Sequence, residues 1–448
     1  MKISIVSISF LLLWACSKDT VTSVENETES VSFTGSLEWV KNYGGTAEET
    51  AQSVIFTEDG GYAVLGYSNS TDIDLDTKTL AVNDYWLLKL NEQGEVIWNK
   101  TYGGSKDDRG QSVIQTLDGG YAITGYSMSD DMDASQNQGF HDNWILKLDN
   151  SGNIEWEKSF GFSGHDHSYD LLQTADGGFF VAGFLDITAA LADESSNKGS
   201  SLTRHGVGEF WGTKVSASGE IEWRNYFGGT NNDRAHAVEN AHDGGYILAG
   251  FSESDDYDIS DTQGSYDFWV VNMNEKGELK WERSFGGSGI DIAYDICKTA
   301  DGAYVIVGNT NSSDKDVSDN HGVTDVWLIK IDQNGNLLWE KTFGGSEYDG
   351  AQSVSLSKDG GFIITGNSKS IDFDVDKNQG ENDMWVIKTN EEGAIIWQST
   401  FGGSDLDYAF DGIEDNDNGL IIVGETSSSD LEGVINLGLK DLVILKIK

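Results

Sequence analysis

The sequence contains no proline and only two cysteines, Cys16 and Cys297. Because proline cannot donate a backbone hydrogen bond to a sheet, its absence favours a chain made largely of paired strands. Two cysteines allow one bridge at most, so disulfides cannot hold the fold together. Basic residues are also scarce, with 29 lysines and arginines against 75 aspartates and glutamates and a net charge of −46. This charge repels nucleic-acid phosphates and attracts cations, so we expect no nucleic-acid partner.

Long apolar runs are missing too, except for residues 3–14, which follow the single charge of Lys2. That run is short for a bilayer span and is typical of a signal peptide. It ends in Leu-Trp-Ala-Cys, which resembles the bacterial lipobox, where the cysteine is lipidated. We therefore predict a lipoprotein signal peptide over 1–15 and a segment 16–35 made of the lipidated Cys16 and a flexible polar tether. A plain secretory signal with an incidental cysteine is the alternative.

A repeat of 58 residues dominates the rest of the chain. Tryptophan recurs at this spacing in two series, and one step in each series is 67 residues because the third unit carries an insertion. The series are Trp98, Trp156, Trp223, Trp281, Trp339 and Trp397, and Trp86, Trp144, Trp211, Trp269, Trp327 and Trp385. Such a period indicates a solenoid or a propeller, with the tryptophans packed between sheets.

Each unit alternates apolar and polar residues with period two, which predicts strands. In the sixth unit we predict strand a over 351–357, strand b over 361–367, strand c over 384–389 and strand d over 394–400. Short turns join them, Asp-Gly-Gly between a and b and Asn-Glu-Glu-Gly between c and d. Four antiparallel strands per unit are typical of a β-propeller blade.

The two ends of the repeat array complement each other. The seventh unit stops after its strand c, over 442–448, whereas residues 37–43 form a spare strand d ahead of the first unit. Pairing of these strands completes the last blade and removes the open edges of the array. We therefore predict an all-β, seven-bladed β-propeller of four-stranded antiparallel blades over 36–448, closed by strand 37–43 and monomeric.

Four motifs recur in the units: aromatic-Gly-Gly-Ser-x-x-Asp, the hairpin Asp-Gly-Gly-Tyr/Phe, x-x-Gly-Asn/Tyr-Ser, and the strand Asp-x-Trp-x-x-Lys. Together they resemble the bacterial β-propeller repeat known as SBBP, and the resemblance covers Ser36 to Lys448. It implies a propeller of an exported or surface protein. It brings no catalytic residues with it.

The d–a and b–c loops are the long ones and belong to one face, which we call the long-loop face and regard as the candidate binding surface. Two carboxylates per unit belong to this face. The set before strand a is Glu49, Asp108, Asp166, Asp233, Asp291, Asp349 and Asp407, and the set before strand c is Asp84, Asp142, Glu209, Asp267, Asp325, Asp383 and Asp441. Because every unit carries both, we interpret them as caps of turns rather than as a catalytic pair.

Several b–c loops carry oxygen-bearing residues at alternate positions, which share one side of an extended segment. In four of them another aspartate follows the first after eleven residues. The predicted calcium ligands are Asp131, Asp133, Asp142, Asp256, Asp258, Asp267, Asp314, Asp316, Asp325, Asp372, Asp374, Asp376 and Asp383. Calcium takes about six to eight oxygen ligands, which this spacing would supply in part. A solvated acidic rim is the other interpretation.

The third unit breaks the symmetry of the repeat. Its d–a loop contains His165 and His167, its long b–c loop contains Arg204 and His205, and His141 lies in the b–c loop of the second unit. Since ligands tend to bind where a repeat loses its symmetry, we predict a ligand or transition-metal site formed by these residues. The alternative is that these residues arose by sequence drift in a loop that tolerates substitutions.

These features predict a non-catalytic binding or scaffold module of the cell envelope. We expect it to be lipid-anchored to the outer membrane, on the periplasmic side or at the cell surface, with a polysaccharide or a protein as its partner. Two alternatives stay open. One is a glycan-active enzyme with its site over the third repeat, and the other is a structural module stabilised by calcium.

Overall fold

The computed structural model of the chain describes residues 33–186 and 208–448. There, 28 strands form seven separate antiparallel sheets of four strands each. The first strand of every sheet contacts the first strands of both neighbouring sheets, so seven such strands surround a common axis. Each sheet is one blade of a propeller, with strands a to d running from the axis outward.

The strands follow the chain in regular order. They are β1 (Leu37–Tyr43), in blade one β2 (Glu49–Phe56), β3 (Tyr62–Ser68), β4 (Asp84–Leu90) and β5 (Val96–Tyr102), in blade two β6 (Asp108–Gln115), β7 (Tyr121–Ser127), β8 (Asp142–Leu148) and β9 (Ile154–Phe160), and in blade three β10 (His167–Gln173), β11 (Phe179–Leu185), β12 (Glu209–Val215) and β13 (Ile221–Phe227). Blade four contains β14 (Asp233–Asn240), β15 (Tyr246–Ser252), β16 (Asp267–Met273) and β17 (Leu279–Phe285), and blade five β18 (Asp291–Lys298), β19 (Tyr304–Thr310), β20 (Asp325–Ile331) and β21 (Leu337–Phe343). Blade six contains β22 (Asp349–Leu356), β23 (Phe362–Ser368), β24 (Asp383–Thr389) and β25 (Ile395–Phe401), and blade seven β26 (Asp407–Glu414), β27 (Leu420–Thr426), β28 (Asp441–Ile447) and β1. Within the described residues the helical content is one 3-10 turn, Ile73–Leu75, and no helix there is both long and apolar enough to cross a bilayer.

Strand β1 closes the ring. It pairs antiparallel with β28, from Leu37 opposite Ile447 to Tyr43 opposite Leu442. Next to this pairing the backbone N–H of Thr34 donates to the carbonyl oxygen of Lys448 at 2.9 Å. The predicted seven-bladed fold and its closure by the N-terminal strand are confirmed.

The hydrophobic core lies between neighbouring blades. Trp144 of strand c is fully buried and packs edge-on against Tyr85 of the preceding blade, with ring centroids 4.9 Å apart. Its indole N–H donates to Glu157 at 2.9 Å, so the buried polar atom is satisfied. Trp98 of strand d packs beneath the next c–d turn, where a Cβ on Gly152 (φ 73°) would lie 2.9 Å from the ring. The packing of tryptophans between sheets is confirmed.

The Asp-x-Trp-x-x-Lys motif joins strand c to the a–b turn. Lys89 Nζ lies 2.8 Å from Asp59 of the first Asp-Gly-Gly turn, and this aspartate also accepts the N–H of Gly61 at 3.2 Å. Five other blades repeat the ion pair, from Lys147–Asp118 to Lys446–Asp415. Several of the few basic residues therefore hold the a–b turns, which lie on the face opposite the long-loop face.

Strand a begins earlier than the sequence predicts and contains a bulge. In blade six it begins at Asp349 rather than at residue 351, because Asp349 pairs with Ser368. The register then shifts between Ala351 and Ser353, which leaves Gln352 without a partner residue. The same shift occurs in strand a of all seven blades. Such a bulge redirects one side chain per blade.

Candidate functional site

A cavity of about 270 Å³ lies on the propeller axis. The residue left out by the bulge in each strand a lines it, so every blade contributes one side chain. These residues are Gln52, Gln111, Tyr169, His236, Tyr294, Gln352 and Phe410. Three are amides and four carry rings, which makes this axial cavity asymmetric although the backbone around it repeats.

The rings of the axial cavity pack against one another. His236 stacks on Tyr294 with centroids 5.0 Å apart and an angle of 3° between the planes, and it meets Tyr169 edge-on at 5.3 Å. Its Nδ1 donates to the carbonyl oxygen of Ala293 at 2.7 Å. Burial lowers the pKa of His236 to about 4, so its imidazole is neutral at pH 7. The lining therefore offers neutral rings and amides to a ligand.

Three aspartates line an adjoining space of about 130 Å³ on the same axis, namely Asp170, Asp295 and Asp411. Each accepts the N–H of a valine in strand a of the next blade, at 2.8 to 2.9 Å. Burial raises their pKa, to about 6 for Asp170 and Asp411. These carboxylates link neighbouring inner strands, which do not pair as strands.

The carboxylates before strand a cap the d–a loops, as predicted. Asp349 is fully buried and accepts the N–H of Gly345 at 2.6 Å, the hydroxyl of Ser370 at 2.7 Å and the hydroxyl of Ser368. The carboxylates at this position in the other six blades each accept the backbone N–H four residues earlier. Their capping role is confirmed.

The six aspartates before strand c have one satisfied and one unsatisfied oxygen. Asp383 Oδ2 accepts the N–H of Gln379 at 2.8 Å, whereas its Oδ1 is buried and receives no hydrogen bond within the described chain. The same orphan Oδ1 occurs in Asp84, Asp142, Asp267, Asp325 and Asp441.

Each of these orphan oxygens lies near the strand-a carboxylate of the next blade. A Cβ on Gly402 would clash with Asp383 Oδ1 and lie 2.9 Å from Asp407 Oδ2, so both oxygens border the same glycine. Burial, together with the charge of Asp407, raises the pKa of Asp383 to about 6. Pairs of buried carboxylates therefore lie at the interfaces between neighbouring blades, and the sequence placed these residues near the turns but did not pair them.

The acidic triplets of the b–c loops make separate contacts. Asp372 and Asp374 accept backbone N–H groups of the d–a loop at 2.8 and 3.2 Å, and Asp376 accepts the amide of Gln398 at 3.0 Å. The predicted ligands Asp131, Asp133, Asp256, Asp258, Asp314 and Asp316 accept the corresponding backbone groups. The triplets thus fasten the two long loops of a blade together, and calcium binding by them stays a prediction.

The residue between the first two aspartates of each triplet has a left-handed backbone conformation although it is not glycine. The set is Ile73, Met132, Tyr257, Lys315 and Phe373, with φ between 52° and 58°. This conformation costs about 1–2 kcal/mol per residue. Four of the five side chains are apolar or aromatic and are 51% to 71% exposed. We call these four, Ile73, Met132, Tyr257 and Phe373, the apolar rim of the long-loop face.

Three of the five residues predicted at the third repeat come together. His141 Nδ1 lies 3.0 Å from His167 Nε2 and 3.0 Å from His165 Nδ1. Within residues 33–186 and 208–448, this is the only group of three or more His, Cys, Asp or Glu residues whose ligand atoms could hold one metal ion. Arg204 and His205, like Cys16, lie outside the described residues.

Sequence reasoning missed the axial cavity because the bulge interrupts the alternation of strand a. With strict period two, the fourth residue of the strand would be assigned to the same side as the second. A signal was nevertheless present, since the fourth position holds glutamine, tyrosine, histidine or phenylalanine in the middle of a strand of small and apolar residues. A large polar residue recurring at one place in a repeat is typical of a lined channel.

No protein-family model matches the chain. The regulatory protein FlaEY of Caulobacter vibrioides is 26% identical over 143 residues, which are 30% of this chain and 15% of that protein. The chain therefore matches far less than two thirds of that relative's length.

Solved structures similar to the chain include propellers. The WD40 domain of Neurospora crassa Pan2 is 10% identical, with a TM-score of 0.48 over 91% of this chain and 95% of that one. The β-propeller domain of the Trilobed protease from Pyrococcus furiosus is 10% identical, with a TM-score of 0.42 over 91% and 94%. A protein of unknown function from Bacteroides caccae is 11% identical, with a TM-score of 0.39 over 77% and 97%. At these values the similarities assign no function, and the fold rests on the strand pairing described above.

Proposed function

We propose that the chain is an exported, lipid-anchored binding module of the cell envelope whose axial cavity holds a saccharide unit of a polysaccharide. The observation that supports this proposal is the lining of the cavity, with three glutamines and four ring-bearing residues. Amides hydrogen-bond sugar hydroxyls, and rings pack on the apolar faces of sugars. A cavity of about 270 Å³ is at the small end of ligand pockets and suits one sugar ring or two.

The state of the carboxylates favours binding over hydrolysis. Cleavage of a glycosidic bond requires two carboxyl groups that reach the substrate from solvent. At the interface of blades two and three, Asp142 and Asp166 are fully buried and occupy the same positions as their counterparts at the other blade interfaces. An enzyme would need a different pair, and the axial aspartates already accept backbone hydrogen bonds.

A protein partner on the long-loop face is the second candidate, and the apolar rim favours it. Met132 is 71% exposed and Phe373 is 65% exposed, and both occupy strained backbone positions. Strain retained at an exposed position is common where a loop takes part in binding. Such a partner would cover the rim without entering the axial cavity.

A glycan array probed with the full-length chain in mild detergent, with calcium and again with chelator, tests the proposal. We expect selective binding by the wild type and by Phe373→Ala, and loss of binding in Phe410→Ala, which removes a ring from the axial cavity. Absence of glycan binding in both buffers would contradict the saccharide. Capture of an envelope protein that Phe373→Ala abolishes would instead support the second candidate.

The anchor is tested separately by metabolic labelling with a palmitate analogue. We expect label in the wild type and none in Cys16→Ser. Labelling of neither protein would contradict lipidation and leave the alternative of a plain secretory signal.

A further inference from the structure

We infer that His141, His165 and His167 form a binding site for one divalent transition-metal ion, with Zn²⁺ as the fitting ion. This inference does not depend on the proposed saccharide function. The three side chains come from two blades, since His141 precedes strand c of blade two, His165 precedes strand a of blade three and His167 begins that strand. A parallel backbone bridge between His141 and His165 fixes the approach of the two segments.

The separations of the nitrogens fit a tetrahedral ion. With Zn–N bonds of about 2.0–2.1 Å, two ligands of a tetrahedron lie roughly 3.3 Å apart. His141 Nδ1 is 3.0 Å from each of the other two ligand nitrogens, and all three lie within 4.8 Å of one another. A tetrahedral ion requires the two 3.0 Å separations to widen slightly and the third to be about 3.3 Å, so small ring movements, chiefly of the exposed His165, would accompany binding. Three protein ligands leave a fourth position for water or a partner's ligand.

The rings are held in place by their surroundings. His167 stacks on Tyr126 with centroids 3.9 Å apart and an angle of 12° between the planes. Its Nδ1 lies 3.4 Å from the hydroxyl of Tyr169, so its Nε2 is the nitrogen directed at the cluster. Phe140 packs on His165 at 4.6 Å. Fixing the non-ligating nitrogen is the usual way in which a protein orients a metal-binding imidazole.

The protonation state of the cluster suits a metal. Burial, aided by the neighbouring histidines, lowers the pKa of His141 to about 4 and of His167 to about 2, so both imidazoles are neutral at pH 7. Metal ions bind the neutral form. Nearby charges have opposite effects on a cation at the cluster, because Asp107 attracts it whereas Arg109 and Arg234 repel it.

The propeller itself does not require these histidines. At the next interface the positions of His141, His165 and His167 hold Gly208, Asn232 and Arg234, and the same parallel bridge forms there. The cluster is therefore an addition to one blade interface. Imidazole ligands select zinc, copper, nickel or iron over calcium and magnesium, so this site differs in chemistry from the acidic loops.

Titration of the metal-free, full-length chain with Co²⁺ and Zn²⁺ tests the inference. We expect one Co²⁺ per chain, with visible d–d absorption bands that Zn²⁺ displaces. The variant His165→Ala removes a direct ligand, so binding should weaken by more than the roughly 10- to 100-fold that loss of a partner behind a ligand costs. Because His165 is exposed, this variant is expected to fold, and near-UV circular dichroism checks that it does. The variant His242→Ala, which removes an exposed histidine from an a–b turn, is the matched control and should bind like the wild type.

The results separate the site from adventitious binding. Loss of the absorption bands in His165→Ala but not in His242→Ala supports the site, and the same loss in His141→Ala and His167→Ala would complete the ligand set. Equal binding by His165→Ala and the wild type, or absence of d–d bands in the wild type, would overturn it.

Discussion

At the scale of single residues, the two carboxylates that meet at a blade interface, one before strand c and one before strand a of the next blade, have opposite energetic roles. Both are buried at the same blade interface, but only the strand-a carboxylate has all its oxygens satisfied. A buried oxygen without a donor costs about 1–3 kcal/mol. The strand-c aspartates therefore reduce the stability of the folded state whenever they are ionised.

Two matched substitutions at adjacent interfaces distinguish these roles. In Asp383→Asn the amide oxygen retains the bond from Gln379, and the new NH₂ group becomes a donor beside Asp407. We expect this variant to be more stable than the wild type by on the order of 1 kcal/mol at pH 8 in chelator. Thermal and urea unfolding measure the change, and a lower melting temperature would contradict the assignment of an orphan oxygen.

The control is Asp349→Asn, which changes the same chemical group at a strand-a position. It weakens three charge-assisted hydrogen bonds, so we expect a loss of about 2–3 kcal/mol. Repeating both melts with calcium tests the calcium prediction. A rise in wild-type melting temperature that Asp383→Asn diminishes would support calcium at the paired carboxylates, and no rise would contradict it.

The sequence predicted the residues of the histidine cluster but not their contact. His165 and His167 are close in the chain, whereas His141 reaches them through a bridge between two blades that only the closed ring creates. Likewise, aspartates before strand c were assigned to turns from their recurrence. Their orphan oxygens were beyond prediction, because the burial of these oxygens arises where the next blade packs against them.

At the scale of elements, strand positions followed from the alternation of apolar residues to within two residues. In blade six the predicted strand d, 394–400, corresponds to β25, Ile395–Phe401. The prediction of strand a was the least accurate, since its first residue is a carboxylate and its bulge breaks the period-two alternation. The pattern of apolar residues reports burial, so it cannot reveal a residue that the backbone turns toward an open axis.

Strand β1 is the element on which closure of the ring depends, and its removal is a direct test. Deletion of residues 33–43 leaves β28 with an open edge and exposes the blade core that Leu37 and Val40 cover. We expect loss of the cooperative melt and formation of oligomers by size-exclusion chromatography.

A circular permutant serves as the control for this deletion. Moving residues 36–43 behind Lys448 through a Glu-Glu-Gly linker gives the last blade the c–d turn of blade six, because Lys448 donates to Ser36 as Asn390 donates to Ala394. The ends already meet at Thr34 and Lys448, 2.9 Å apart, so we expect a monomer with a melting temperature near that of the wild type. An equally stable deletion variant would contradict the role of β1.

At the scale of the whole molecule, the chain combines a net charge of −46 with buried carboxylates at its blade interfaces. The pKa of Asp84 is raised to about 7, and that of Asp142, Asp267 and Asp325 to about 6, chiefly by burial. Protonation of these groups is easier in the folded state than in the unfolded chain. Their contribution to stability is complete below the unfolded pKa and is lost as the pH rises through 6 to 7.

The pH dependence of unfolding follows from these shifts. His141, His167 and His236 act in the opposite direction, because their lowered pKa values make the folded state less stable as the unfolded histidines take up protons, and an unfolded histidine is half protonated at about pH 6.5. Between pH 8 and 7 few unfolded histidines are protonated and the carboxylates dominate, so we expect the melting temperature to rise by about 1 °C as the pH falls over this interval.

Scanning calorimetry at constant ionic strength measures this rise. A double variant, Asp325→Asn with Asp383→Asn, should show a smaller rise because two of the titrating groups are gone. A melting temperature that falls over the same interval would contradict the direction of the pKa shifts.

The meeting of the two chain ends has a mechanical consequence. A pull on the N-terminal side of β1 first loads the hydrogen bonds of Thr34 and Ser36 to Lys448 and then the pair of Leu37 and Ile447. If Cys16 is lipid-anchored as proposed, tension from the anchor would peel β1 from β28 one residue pair at a time. The other six blades lie outside this line of force, and the ring would open at a single seam that can close again when the tension ends.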